Sequence, residues 1–361
     1  MLTIDFIKEH GLKKFIEETK VIVKEYSEAK LIVLNYNQIE SPKNPMTSEC
    51  RGLILNYETY EVVSRSFDRF FNLGEQPETQ KHLDIKKAVV FDKVDGSIIK
   101  IYFHNRWEIS TRGTAFADSE VNGFGITFRE IVLSALEMTE EQFQQAAEST
   151  FNKDSTYIFE VTSMENRVVT HYTGRTLWFL AARNNKTGEY FTPASMLPNV
   201  TETPSYKFKT LEDCVETAKN LPNLLEGYVI YQDGEPVCKV KSPAYLAVHA
   251  IKGEGLTPKR IMSLVLMNEQ HEYLTYFPED KHAFEPYVVA LEKLLEDIVS
   301  VYNSVSHIED QKEFALSAKD YCFSSVLFSA RKLKEDPVSV FHNALDAQKQ
   351  NTLTKFMEKN K

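Results

Sequence analysis

Lys93 stands two residues before Asp95-Gly96, with apolar runs on either side at 88–91 and 98–103. A lysine at the end of a buried strand, ahead of a tight acid-glycine turn, is presented as an amine nucleophile rather than left mobile in solvent. The same residues fit an ordinary surface hairpin with an Asp-Gly turn equally well. Four further features bear on the choice. Glu160 interrupts the apolar run Ile158-Phe159-Glu160-Val161, where a carboxylate is costly unless paired; taken alone, strand alternation pointing it to solvent is the simpler account. Glu226 opens another apolar run and is followed by Gly227, which permits close approach of backbone or ligand; taken alone, it reads as a solvated strand entry. Lys239 and Lys241 are two residues apart, so both ammonium groups face one side of a strand, toward an anion or toward water. Arg51 and Arg69 lie near apolar strands. A guanidinium fork suits phosphate oxygens, and it also serves as a surface stem laid over aromatics.

These side chains need a strand-rich scaffold, and the first 240 or so residues supply one. Strands are expected at 21–23, 31–34, 52–55 and 61–64, although 15–26 can also be drawn as a helix. Further strands are expected at 98–103, 107–111, 157–161, 167–169 and 177–182, the last wholly apolar and therefore central and buried. Segments 227–231 and 237–241 form a hairpin across Asp233-Gly234. Asp118 is placed to cap a helix running through Phe124, Ile131 and Leu136, and a second helix covers 140–148. After Tyr245 the pattern changes to helical spacing, as in Ile261, Leu264 and Val265, or Val288, Leu291, Leu294, Leu295 and Ile298. Helices are also expected at 324–333 and 338–345. The expectation is an α+β chain: antiparallel sheets with flanking helices over 1–244, then an all-helical domain over 245–361.

A net charge of −10 argues against a passive nucleic-acid coat, which would be broadly basic, but not against a local basic groove. Cys50, Cys214, Cys238 and Cys322 are scattered without metal-ligand spacing, which argues against structural zinc and fits a reducing, cytoplasmic setting. No apolar run reaches bilayer length, and the charged N-terminus does not read as a signal peptide.

The order of the motifs is more specific than any one of them. Lys-x-Asp-Gly-Ser, an acid in an apolar strand, Glu-Gly-Tyr-Val and Lys-x-Lys occur here in sequence. That series resembles the nucleotidyltransferase motifs of ATP-dependent ligases and capping enzymes. Adding Glu49-Cys50-Arg51-Gly52, Ser64-Arg65-Ser66-Phe67-Asp68-Arg69-Phe70-Phe71-Asn72-Leu73 and Asn166-Arg167-Val168-Val169, the chain is similar to the RNA ligase 1 family of T-even-type bacteriophages. The resemblance covers the catalytic domain and extends weakly into the helical one. DNA ligases and capping enzymes carry an oligonucleotide-binding barrel after the last motif, whereas this chain turns helical. Those enzymes, and an inactive RNA-binding relative, are the alternatives. The presence of Lys93, Lys239 and Lys241 speaks against the inactive one.

The resemblance implies an ATP-dependent RNA ligase joining a 5′-phosphate to a 3′-hydroxyl through lysyl-AMP and an adenylylated RNA end. Lys93 would be the nucleophile, Asp95 and Gly96 would shape its loop, and Ser97 would complete it. Glu160 would hold a ribose hydroxyl or help place Mg²⁺ (Mn²⁺ as an alternative), and Glu226 would position that metal. Lys239 and Lys241 would grip the α-phosphate, Arg51 would contact the triphosphate tail, and Phe179 or Trp178 would pack near adenine. Arg69 and Arg112 stand where the family has lysines and keep the cofactor-binding charge with a different hydrogen-bond geometry. A free lysine titrates near about 10.4; cations such as Lys239, Lys241 and the metal are expected to favour its neutral form. The resemblance further implies broken tRNA as the RNA, an end-healing polynucleotide kinase-phosphatase as functional partner, a helical domain that selects RNA, a monomer, and host cytoplasm if phage-encoded.

Overall fold

Short β-branched and aromatic runs separated by turn residues become strands, and these assemble into three sheets. A computed structural model describes residues 1–222, 224–252, 256–267, 270, 273–274 and 277–359. In chain order the strands are β1 (Ile22–Tyr26), β2 (Leu31–Asn35), β3 (Arg51–Asn56), β4 (Val62–Ser64), β5 (Phe71–Asn72), β6 (Val89–Asp92), β7 (Ser97–His104) and β8 (Arg106–Thr111). They continue as β9 (Ser155–Thr162), β10 (Thr176–Asn184), β11 (Tyr190–Phe191), β12 (Val200–Glu202), β13 (Ser205–Tyr206), β14 (Gly227–Gln232) and β15 (Glu235–Lys241). The first sheet runs β1-β2-β3-β4, the second β11-β10-β9-β7-β8 with β12 beside β10, and the third β13-β6-β14-β15-β5. Pairing is antiparallel except for β10 with β12 and β15 with β5. From Pro243 onward the described residues contain helices and no strand, so the α+β expectation holds.

The chain divides into two compact units, Met1–His249 and Ala250–Lys361. In the first, period-two alternation sorts each strand into a covered face and a cleft face. Ile99, Phe159 and Val161 of the second sheet pack on Ile131 and Phe143 from helices Phe128–Leu136 and Glu140–Thr150. Val90, Ile230 and Val240 of the third sheet pack with Cys214 and Ala218 of helix Leu211–Lys219. The opposite faces carry Ile98, Ile158, Leu180 and Tyr231, which cluster with Phe67 and Phe70. In the second unit, Leu294, Ile298, Phe314, Leu327, Phe341 and Leu353 form one core. Among the described residues no helix is long and apolar enough to cross a membrane, and all four cysteines are free thiols.

Several local expectations need correction. The Asp95-Gly96 step is not a hairpin turn, because β6 pairs with β13 and β14 whereas β7 pairs with β8 and β9. Asp118 caps no helix; Thr127 does, in a reciprocal capping box with Glu130. Residues 167–169 are loop, because their backbone turns toward Asp95 instead of a neighbouring strand. Segment 15–26 divides into helix Leu12–Thr19 and β1. Trp178, Phe179 and Leu180 of β10 are only half-buried.

Lys100 on β7 is fully buried, and its ammonium donates to the Gly52 carbonyl of β3, tying the second sheet to the first. Burial pulls its pKa down to about 7. The unfolded chain therefore binds more protons at this position between that value and the ordinary lysine value, so its contribution to stability rises with pH there. Relative to Lys100→Met, the wild type should gain stability between pH 7 and pH 9, read as a wild-type-minus-variant difference in urea midpoint that rises with pH. Parallel pH profiles would contradict this.

Candidate functional site

The backbone fixes the site before any side chain does. The Lys93 N–H donates to the Gly227 carbonyl at 2.8 Å, and the Ser242 N–H donates to the Glu226 carbonyl at 2.8 Å. Lys93 at the end of β6, Glu226 before β14 and Lys241 at the end of β15 are thereby brought side by side. Gly227 has φ 138, and a Cβ there would collide with the Val240 carbonyl. The residue after Glu226 must be glycine for these strands to close up.

Glu226 is 4% exposed and lies between two ammonium groups. Its Oε2 is 2.7 Å from Lys93 Nζ and its Oε1 2.8 Å from Lys241 Nζ. Burial pushes its pKa up, but Lys93 and Lys241 outweigh burial and the net shift is downward. For Lys93 the balance is reversed: burial pulls it down, and Glu226, Glu160 and Asp95 outweigh burial to raise it. This departs from the expectation that Lys239 and Lys241 favour a neutral Lys93. The nearest charges are negative, so the resting amine is protonated. Glu160, on the cleft face of β9, is pushed up to about 8, chiefly by burial and against the pull of Lys93. Lys239 is pulled down to about 7 by burial and then by Arg51, Lys93 and Lys241; its Nζ sits 4.7 Å over the Phe70 ring.

Asp95 makes structural contacts. Its Oδ2 accepts from the Val169 N–H at 2.8 Å and the Thr170 N–H at 2.7 Å, and its Oδ1 accepts from the Tyr245 hydroxyl at 2.7 Å. Its own N–H donates to the Tyr172 hydroxyl at 3.2 Å. The carboxylate thus pins the loop after β9 and the start of helix Pro243–Lys252 to the Lys93 segment. Gly96 has no room for a Cβ against the Val161 carbonyl, and Ser97 Oγ accepts from Asn166 Nδ2 at 3.1 Å.

Lys93, Glu160 and Arg51 line one pocket together with apolar Phe91, Ile98, Leu180, Val229 and Tyr231. Such a pocket suits a flat base joined to a charged tail. On β10 the residue that lines it is Leu180. A register shift between Phe179 and Ala181 breaks the alternation there, and Phe179 packs edge-on against Phe159 with centroids 5.8 Å apart. Trp178 Nε1 donates to Thr162 Oγ1 at 3.0 Å. Arg69 and Arg112 place their guanidinium carbons 4.3 Å and 4.5 Å from the Tyr36 ring centroid, and Arg51 lies 5.1 Å from that of Phe70. Nε and Nη1 of Arg51 and Nη1 of Arg69 are buried without a hydrogen-bond partner. Orphaned cationic donors of this kind fit phosphate oxygens.

No group of three or more His, Cys, Asp and Glu gathers among the described residues. A hard divalent ion here would have few protein carboxylates, Glu226 and Glu160 being placed to hold it, with substrate phosphates and water completing its shell. Sequence reasoning missed Tyr36, Tyr172 and Tyr245. Each acts through contacts distant in sequence, and none stands in a local pattern. Phe91, Val229 and Tyr231 were legible in principle, since they share the face of Lys93 by strand alternation.

The model of the RNA ligase family matches residues 49–245. A protein of Autographa californica nuclear polyhedrosis virus named as a bifunctional polynucleotide kinase/RNA ligase is 42% identical over 294 residues, 78% of this chain. The chain spans only 42% of that relative's length. A Thermovibrio ammonificans protein named as an RNA ligase is 26% identical, with 96% of this chain and 85% of the relative covered. A solved archaeal ATP-dependent RNA ligase aligns over 94% of this chain and 82% of its own at 15% identity, with a TM-score of 0.45.

Asp95→Ala would leave two backbone N–H groups and the Tyr245 hydroxyl without their acceptor. At about 1–3 kcal/mol per unsatisfied buried group, a loss of at least about 3 kcal/mol is expected in denaturant unfolding. A loss below about 1 kcal/mol would show that the clamp does not hold the segment.

Proposed function

The chain belongs to the RNA ligase family that its residues 49–245 match, and from that premise we propose that it is an ATP-dependent RNA ligase working through a lysyl-AMP intermediate. The observation that carries this reading is Lys93. Its amine lies in a pocket with Glu160, Arg51 and an apolar wall, 2.7 Å from buried Glu226. In the first step the Lys93 nitrogen attacks the α-phosphorus of ATP. The N–P bond forms as the bond to the bridging oxygen breaks, and pyrophosphate leaves. Next the 5′-phosphate of an RNA end attacks the lysyl-linked phosphorus and Lys93 is released. Last, a 3′-hydroxyl attacks the activated 5′-phosphate and AMP departs.

The residues divide this work by position. Arg51, Arg69 and Arg112 meet the tail that becomes pyrophosphate, Arg51 and Arg69 with buried donors already free of protein partners. Lys239 and Lys241 face the cleft from β15 and stabilise charge on the transferring phosphoryl group. Tyr231, Leu180 and Val229 enclose the base. Glu226 orients Lys93 and takes part in placing the metal with Glu160. A bound Mg²⁺ would neutralise phosphate charge in the cleft. Asp95, Gly96 and Ser97 hold the nucleophile segment in shape.

The acceptor is RNA, with a tRNA broken in its anticodon loop as the proposed natural case and the helical unit selecting it. The baculovirus relative, whose name joins a polynucleotide kinase to an RNA ligase, supports functional pairing with an end-healing kinase.

The test is incubation with α-labelled ATP and Mg²⁺. Covalent label should survive denaturation, vanish in Lys93→Ala and under chelation, and fall at least about a hundredfold in Glu226→Ala. No label on the wild type would sink the reading. Because only neutral Lys93 attacks and its pKa is raised, the labelling rate should climb with pH from 7 to 9. A rate falling over that range would contradict the assignment of the nucleophile.

A further inference from the structure

Between β4, which ends at Ser64, and β5, which begins at Phe71, residues 65–70 cross from the first sheet to the third without strand pairing of their own. The crossing carries Phe67 and Phe70, which line the pocket beside Lys93. Pairing in a ladder fixes which way a strand's side chains point. Residues 65–70 lack that device, so side chains must supply it.

Arg183 of β10, 4% exposed, grips both neighbours of Phe67. Its Nη1 donates to the Ser66 carbonyl at 2.7 Å and to Asp68 Oδ1 at 2.9 Å, and its Nη2 donates to Asp68 Oδ2 at 3.0 Å. Its Nε donates at 2.7 Å to the Gly188 carbonyl, in the turn between β10 and β11. Its guanidinium carbon lies 4.6 Å from the Tyr190 ring centroid, and the Phe67 ring stacks on the same tyrosine at 5.9 Å. Arg65 adds a second grip: its Nη2 donates to Asp68 Oδ2 at 3.0 Å and its N–H to Thr156 Oγ1 at 3.1 Å. A buried ion pair adds little to stability over apolar side chains of the same volume. What apolar side chains cannot supply is direction. A fork bonded to residues 66 and 68 sets the backbone on both sides of Phe67. With it goes the placement of the Phe67 ring, 6.4 Å from that of Tyr231 and 6.1 Å from that of Phe70.

We infer that Arg183, through Ser66 and Asp68, is a positioning residue for the nucleotide pocket, holding Phe67 as part of its apolar wall. Neither Arg183 nor Asp68 lines that pocket, so the effect passes through the ring between the two residues that Arg183 holds. The inference rests on the ligase reading only for the identity of the nucleotide.

The experiment measures covalent labelling across ATP concentrations in Arg183→Lys, Asp68→Asn, Phe67→Leu and the double variant of Arg183→Lys with Phe67→Leu. A lysine keeps the charge but cannot span both neighbours of Phe67, so Arg183→Lys should raise the KM for ATP about tenfold. Asp68→Asn, at the more exposed end of the pair, disturbs the core less and should raise it about fivefold. A role confined to folding would lower the amount of active enzyme and leave KM alone. In the Phe67→Leu background, Arg183→Lys should add less than about twofold, because the ring that it positions is gone. An unchanged KM in the single variants, or an effect of Arg183→Lys that persists in full without the Phe67 ring, overturns the inference. Calorimetry with ATP separates the two hypotheses. A wild type that binds ATP but takes no label defeats the ligase reading. The same dependence on Phe67, read then in the dissociation constant, would still support the role of Arg183, and its absence would oppose it.

Discussion

A carboxylate almost removed from water needs positive partners, and Glu226 has two of them, one on each oxygen. That constraint organises the site. Lys93 immediately follows β6 and Lys241 ends β15, with β14 between those strands in the same sheet, and Glu226 immediately precedes β14. Strand order, the tight approach at Gly227 and the charge balance are therefore one arrangement. Removing either lysine would leave a buried negative charge half compensated, which is why the triad must be considered together.

The same triad describes a resting state. With Glu226 at 2.7 Å, the Lys93 amine is held as a cation and is not yet a nucleophile. Substrate phosphates and a divalent ion entering the cleft would compete for both partners. The unpaired guanidinium nitrogens of Arg51 and Arg69 face no such competition, since no protein acceptor engages them. The site thus combines a paired part, which ligand must rearrange, with an unpaired part ready to receive it.

Much of this was legible in the sequence, for physical reasons. Period-two spacing placed Lys239 and Lys241 on one face, and the order of the motifs, rather than either carboxylate taken alone, gave Glu160 and Glu226 a role other than a solvated one. The Asp233-Gly234 hairpin and the helical stripes were local patterns and needed no tertiary information. What escaped was set by long-range partners. The 167–169 segment has strand-like residues, yet its N–H groups turn to Asp95. Phe179 was expected near a base, but with the register shift on β10 it is Leu180 that lines the pocket beside Lys93. The start of the helix at Phe128 depended on Thr127 and Glu130, a reciprocal cap stronger than the acidic cue at Asp118.

The divergence of β6 and β7 has a mechanical consequence. Residues 93–96 form the bridge by which the chain leaves one sheet and enters another. Lys93 is bonded through its backbone to the third sheet, while Gly96 is packed against a carbonyl of the second. The Lys93 amine therefore sits on a short strut joining the two walls of the cleft. Any widening between those walls is felt within four residues of its nitrogen, so the strut gauges how firmly the cleft has closed on what it holds.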